Sequence, residues 1–132
     1  MSNKPVPIPL AMVICDTVIE DKLTGKKSLI GLFNNINAKS VPTAHTGLNV
    51  YIALTEGIGS YEGKLKCLVD DDRVLEIGGP LTFKHPHQIV EWNFNLRNLP
   101  LPKFGEYRFE LLCDEKLVTS RKFKVSPIKK GG

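Results

Sequence analysis

Val90-Glu91-Trp92-Asn93-Phe94-Asn95-Leu96 alternates between apolar and polar residues without a slip. In an extended chain successive side chains point to opposite faces. Val90, Trp92, Phe94 and Leu96 therefore share one side, and Glu91, Asn93 and Asn95 share the other. A helix would scatter the four apolar residues around its axis. The stretch reads as a strand with one dry and one wet face, which belongs to an antiparallel sheet.

The same period runs through much of the chain. Tyr107, Phe109 and Leu111 form an inward row after Gly105. Tyr61, Gly63, Leu65, Cys67 and Val69 alternate with Glu62, Lys64 and Lys66. Leu48, Val50, Ile52 and Leu54 form a fourth row, with Tyr51 facing away from it, exposed or at an interface. Trp92 is expected in the core. Residues 10–19 and 29–36 are apolar on both faces, which predicts central strands or an outer face covered by a loop or a second subunit. The turn-rich Glu20-Asp21-Lys22-Leu23-Thr24-Gly25-Lys26-Lys27 between them predicts a hairpin. Gly57-Ile58-Gly59-Ser60, Asp70-Asp71-Asp72 and Asp114-Glu115-Lys116 read as turns, and Gly78-Gly79-Pro80 as the end of a short strand from Val74 to Ile77. Leu99-Pro100-Leu101-Pro102-Lys103-Phe104-Gly105 reads as a crossing between sheets, or as an extended segment for a partner to grip. The expected fold is all-β: an antiparallel two-sheet sandwich of about eight strands, with a barrel as the alternative.

With 132 residues the chain is expected to form one domain, with residues 1–9 and 127–132 as mobile tails. Cys15, Cys67 and Cys113 are odd in number and lie within apolar strand patterns, so they read as buried free thiols suited to a reducing compartment. Pro5, Pro7 and Pro9 would break a signal-peptide helix, and no run approaches the ~18 apolar residues of a membrane span. A soluble cytoplasmic protein is the expectation. The net charge of +4 hints at acidic partners, but the basic clusters Lys26-Lys27, Arg121-Lys122-Phe123-Lys124 and Lys129-Lys130 are sparse for a nucleic-acid footprint.

No catalytic set assembles from spacing. Gly25-Lys26 has Glu20 where a phosphate loop needs glycine and Lys27 where it needs Ser or Thr. Gly57-x-Gly59 meets Glu62 where a dinucleotide fingerprint needs its third glycine. His85 and His87 flank Pro86 and could reach one metal only with His45 or a distant acid to complete the set. Asp70, Asp71 and Asp72 are the best acidic cluster. Asp16, Asp21 or Asp114-Glu115 could complete a calcium site if the loops converge. These five residues, Asp70, Asp71, Asp72, His85 and His87, are weak metal candidates. No catalytic or cofactor-binding residue and no cofactor is expected.

Gly105-x-Tyr107-x-Phe109-x-Leu111, following a proline-bearing crossing, resembles the late strands of immunoglobulin-like sandwiches, in which an inward tyrosine fixes a corner with its hydroxyl. Ile14-Cys15-Asp16, the run Thr24-Gly25-Lys26-Lys27-Ser28-Leu29-Ile30-Gly31-Leu32-Phe33, and the later Phe104-to-Phe109 and Arg121-to-Val125 segments resemble a family of small uncharacterised bacterial proteins. The likeness runs from about residue 10 to 125. It implies a bacterial β-sandwich and brings no activity or site residues with it. The expected role is a non-enzymatic interaction module, self-associating or bound to an unknown protein partner, away from membranes. A calcium- or small-ligand-binding sandwich is the alternative, and a small enzyme the third reading.

Overall fold

The structure, a computed structural model, describes residues 4–128. Nine strands form: β1 (Ile8–Glu20), β2 (Lys27–Leu32), β3 (Asn35–Ala38), β4 (Thr43–Thr55), β5 (Gly59–Val69), β6 (Asp72–Phe83), β7 (Val90–Leu101), β8 (Gly105–Cys113) and β9 (Lys116–Pro127). They make two sheets, ordered β2-β1-β4-β7 and β3-β9-β8-β5-β6. Every neighbouring pair is antiparallel except β3 with β9. The second sheet curls into a half-barrel.

The period-two rows become the core. Phe94 and Leu96 of β7, Leu48, Val50, Ile52 and Leu54 of β4, Leu65 and Cys67 of β5, and Phe109 and Leu111 of β8 are buried in one cluster drawn from both sheets. Phe109 stacks on Phe123, ring centroids 5.1 Å apart. Trp92 is half-buried and packs on this cluster rather than lying inside it. Its ring fills the space above Gly63, where any Cβ would overlap it. Glycine at 63 is thus a condition for the sheets to approach at this point.

The hairpin turns follow from local chemistry. Asp70 and Asp71 have φ of 47° and 66°, and Asp114 and Glu115 have φ of 49° and 68°. Two successive left-handed residues define the type I′ turn, whose twist matches that of the strands it joins. The β1–β2 turn is closed differently. Asp21 Oδ1 accepts from the backbone N–H of Leu23 at 2.8 Å and of Thr24 at 3.0 Å, and Gly25 takes φ 71°.

Several expectations are corrected. The stretch 29–36 splits into β2 and β3, which join different sheets, so the strands number nine. β1 is flanked on both sides, but β2 is an edge strand, not a central one. Its Ile30 and Leu32 remain exposed because no element covers the face they point to. Gly78-Gly79-Pro80 does not end a strand: β6 runs through it, since an edge strand tolerates a proline with no N–H to donate. β7 continues through Leu101, so the crossing to the second sheet is only Pro102 to Phe104. Part of the expected N-terminal tail lies against the fold. Tyr61 donates its hydroxyl to the Pro5 carbonyl at 2.8 Å, and β1 already begins at Ile8. At the other end Ile128 N–H donates to Ala38 at 3.1 Å. Lys129-Lys130 and the remaining tail residues lie outside the described residues.

Tyr107 is fully buried, and its hydroxyl donates to the Lys103 carbonyl at 2.6 Å while accepting from Lys103 N–H at 3.2 Å. This pair of bonds fixes the crossing onto β8. Tyr107→Phe is expected to keep the fold and lose about 1–3 kcal/mol, because the Lys103 groups are left unsatisfied. A urea midpoint unchanged from the parent chain would contradict that role.

Candidate functional site

β6 separates the two weak metal candidates. Asp70 and Asp71 make the β5–β6 turn and Asp72 begins β6, whereas His85 and His87 sit in the β6–β7 connection at its other end. A strand of this length spans roughly 35 Å along its path. The Asp114-Glu115 turn lies at the histidine end of β5, beside Glu62, whose N–H donates to Asp114 Oδ1 at 2.8 Å. The acidic turns therefore do not converge. Asp70 is ion-paired with Lys103, and Asp71 with Arg108 at 3.0 Å. His87 faces Glu56 at 3.9 Å. His45 lies on β4 beside Phe33, ring centroids 6.1 Å apart, far along the chain from the other two. Among the described residues no three His, Cys, Asp or Glu side chains stand together as a metal group.

Gly25-Lys26 lies in the β1–β2 turn, and Gly57 packs on the Phe83 ring. Cys15, Cys67 and Cys113 are free and buried. Burial pushes the Cys67 thiol up to about 12 and the Cys113 thiol up to about 11, so neither supplies a thiolate nucleophile near neutral pH.

The most constructed region is the outer face of the first sheet. β1 pairs with β4 only as far as Cys15 with Asn49, and Asn49 pairs onward with Asn95. Glu20 lies five residues past Cys15, and Glu91 four before Asn95. A flat continuation of β1 would hold the two about 30 Å apart. Instead Lys27, the cross-strand partner of Glu20, donates to Glu91 Oε1 at 2.8 Å. The outer half of the β1–β2 hairpin is therefore folded back across the sheet. The bend falls at Asp16, whose carboxylate occupies the space a Cβ on Gly31 would need, with Gly31 at φ 75°. Any other residue at 31 would meet both the carboxylate and the left-handed backbone.

The fold-back has a polar latch. Glu91 accepts from Lys27 and from the Tyr51 hydroxyl, and Lys27 also lies 3.5 Å from Glu20. Burial, then the bond to Glu91, pushes the Tyr51 hydroxyl up to about 12. Lys27, then Tyr51, holds Glu91 below the usual carboxylate range. Tyr51 was expected to face away from the core; what it faces is this latch. Residue parity placed Tyr51 and Glu91 on the outer face, but nothing in the sequence indicated that Lys27 would reach them.

Beside the latch an open cleft of about 400 Å³ lies between the folded hairpin and the sheet. Asp16, Thr17 and Val18 form one wall; Thr46, Asn49, Asn93, Asn95 and Arg97 line the rest. Asn49, only 8% exposed, donates to the Asp16 carbonyl at 2.9 Å and accepts from Asn93 at 3.3 Å.

Two outcomes follow. Glu91→Gln is expected to cost about 0.5–1 kcal/mol. The parent's latch is whole above the ordinary glutamate pKa and weakens as pH falls through the depressed folded value; at the alkaline end the Tyr51 contribution is whole below pH 10 and is lost by about pH 12. Urea midpoints across pH should show both losses in the parent and a smaller acid loss in the variant, because Asp21, Asp114 and Glu115 are also held below the usual carboxylate range. Millimolar calcium is expected to leave the melting temperature unmoved, since a bound ion at a hundred times its Kd would add ~2.7 kcal/mol.

A comparison with curated proteins finds no match. A family model described as "Family of unknown function (DUF6941)" matches residues 10–126, nearly the stretch over which the sequence resemblance runs. The match takes in all nine strands apart from the first two residues of β1 and the last of β9, and on it the chain belongs to this family of unknown function.

Proposed function

We propose that the chain is a non-enzymatic, immunoglobulin-like interaction domain of a reducing compartment such as the cytoplasm, and that it pairs with a second copy of itself through β2. The strand order supports the first part. β1-β4-β7 facing β9-β8-β5-β6 corresponds to the A-B-E and G-F-C-C′ strands of immunoglobulin-like sandwiches, and the Tyr107 hydroxyl corner sits at the equivalent E–F connection. The departure is at Phe109, two residues after the tyrosine, where antibody domains carry a bridging cysteine. Three buried free thiols suit a reducing compartment.

The observation that carries the self-pairing is the contrast between β2 and the other sheet edges. β7 carries Pro100, β6 carries Pro80, and β3 has four residues. Prolines and brevity are devices that block edge-to-edge pairing. β2 has no proline and no ionic residue past Lys27. Ile30 and Leu32 are 48% and 64% exposed, beside Ile19 at 48% on the same hairpin face.

The charges favour a second copy in antiparallel register. Lys26 and Lys27 lie at one end of β2, so antiparallel pairing centred on Ile30 sets the two lysine pairs about 20 Å or more apart, beyond the ~8 Å screening length. Such pairing is isologous and closed, and it joins the two exposed isoleucine rows. Sedimentation velocity over a concentration series should give a monomer–dimer equilibrium. Ile30→Lys, on an exposed side chain, should weaken the dimer about tenfold or more with the melting curve retained. A parent chain that stays monomeric at the highest soluble concentration, or an Ile30→Lys dimer as tight as the parent's, overturns the reading.

A further inference from the structure

Asparagine is among the residues least suited to strands, yet Asn49, Asn93 and Asn95 stand together on the outer face of β4 and β7. Asn49 pairs directly with Asn95, and Asn93 pairs with Tyr51. A local rule broken three times at one place marks a site where chemistry has outweighed strand stability. We propose that the cleft beneath the folded hairpin is a binding site for a saccharide.

The lining sets the ligand class. Asn49 spends its amide on the Asp16 carbonyl and on Asn93, which fixes the floor. Asn93 keeps its side-chain oxygen free, and Asn95, Arg97, Thr17, Thr46 and the Asp16 carboxylate form no other side-chain hydrogen bond or ion pair within the described residues. The free groups are donors and acceptors interleaved at short range. A sugar's vicinal hydroxyls both donate and accept, so they can satisfy such a set in pairs. The lining carries one residue of each charge, Arg97 and Asp16, so its formal charge favours neither an anion nor a cation.

The test begins with a broad glycan array probed with the full chain, and continues with an amide chemical-shift titration using the strongest glycan. Shifts are expected at Thr46, Asn93, Asn95 and Arg97, with affinity falling about tenfold in Asn95→Ala and in Arg97→Ala, the loss of one or two hydrogen bonds each. Both side chains are exposed, and the melting temperature of each variant checks the fold. Glycyl-glycine, a zwitterion that could bridge Arg97 and Asp16, is titrated in parallel. An array signal no stronger for the parent than for the double variant overturns the proposal, and so does a titration in which only the dipeptide moves these amides. Ile30→Lys is expected to bind the glycan as the parent does, so failure here and failure of the β2 pairing are separately readable.

Discussion

The exclusion of water from a core shared by two sheets is the constraint on which the rest of the molecule depends. Every strand but β2 contributes buried apolar residues, and no such row can be buried within its own sheet. Leu48, Val50, Ile52 and Leu54 on β4 must meet Leu65, Cys67, Phe109 and Leu111 on the opposite side. Burial of this kind is worth roughly 2 kcal/mol per large side chain before chain entropy is set against it. The close approach it demands is met at Gly63, whose missing side chain admits the Trp92 ring. The same approach leaves the crossing from β7 to β8 short, and the Tyr107 hydroxyl bonds fix it there.

A sheet satisfied on its inner face still has an outer one. On the first sheet that face is half-covered by the chain itself, because β1 leaves its pairing with β4 after Cys15 and folds back from Asp16. Cys15, Asn49 and Ala53 are buried on what would otherwise be a solvated surface. Glu91 is held there by a lysine and a tyrosine that come from different strands. The second sheet is treated differently. Its outer surface carries ion pairs between neighbouring strands, such as Lys66 with Glu76 at 3.9 Å and Lys122 with Glu106 at 3.6 Å. Exposed pairs of this sort add little stability, but they neutralise a face that would otherwise read as basic.

The inner rows were legible in the sequence because period two is a local property. Val90 to Leu96 and Tyr107 to Leu111 needed only their own neighbours to declare a face. β2 was misplaced for the complementary reason. A short apolar run looks the same whether it is central or at an edge, and only long-range pairing decides which. The acidic turns and histidines could be found from residue type, but their separation by the length of β6 belongs to topology. The latch was the least legible feature, since Lys27 and Glu91 are far apart in the chain and meet through a bend set by Asp16 and Gly31.

The free groups that remain are suited to recognition more than to bond-making. Nucleophilic thiols lie in apolar surroundings that oppose ionisation. The acidic turns are spent on ion pairs or on capping the next strand. Free backbone hydrogen bonds are concentrated along an edge, and free amides within a cleft. The folded hairpin joins the two: its outer edge is β2, and its underside helps to wall the cleft through Asp16, Thr17 and Val18. Both surfaces depend on the same bend, because straightening β1 at Asp16 would remove one wall of the cleft and carry the β2 edge away from the sheet.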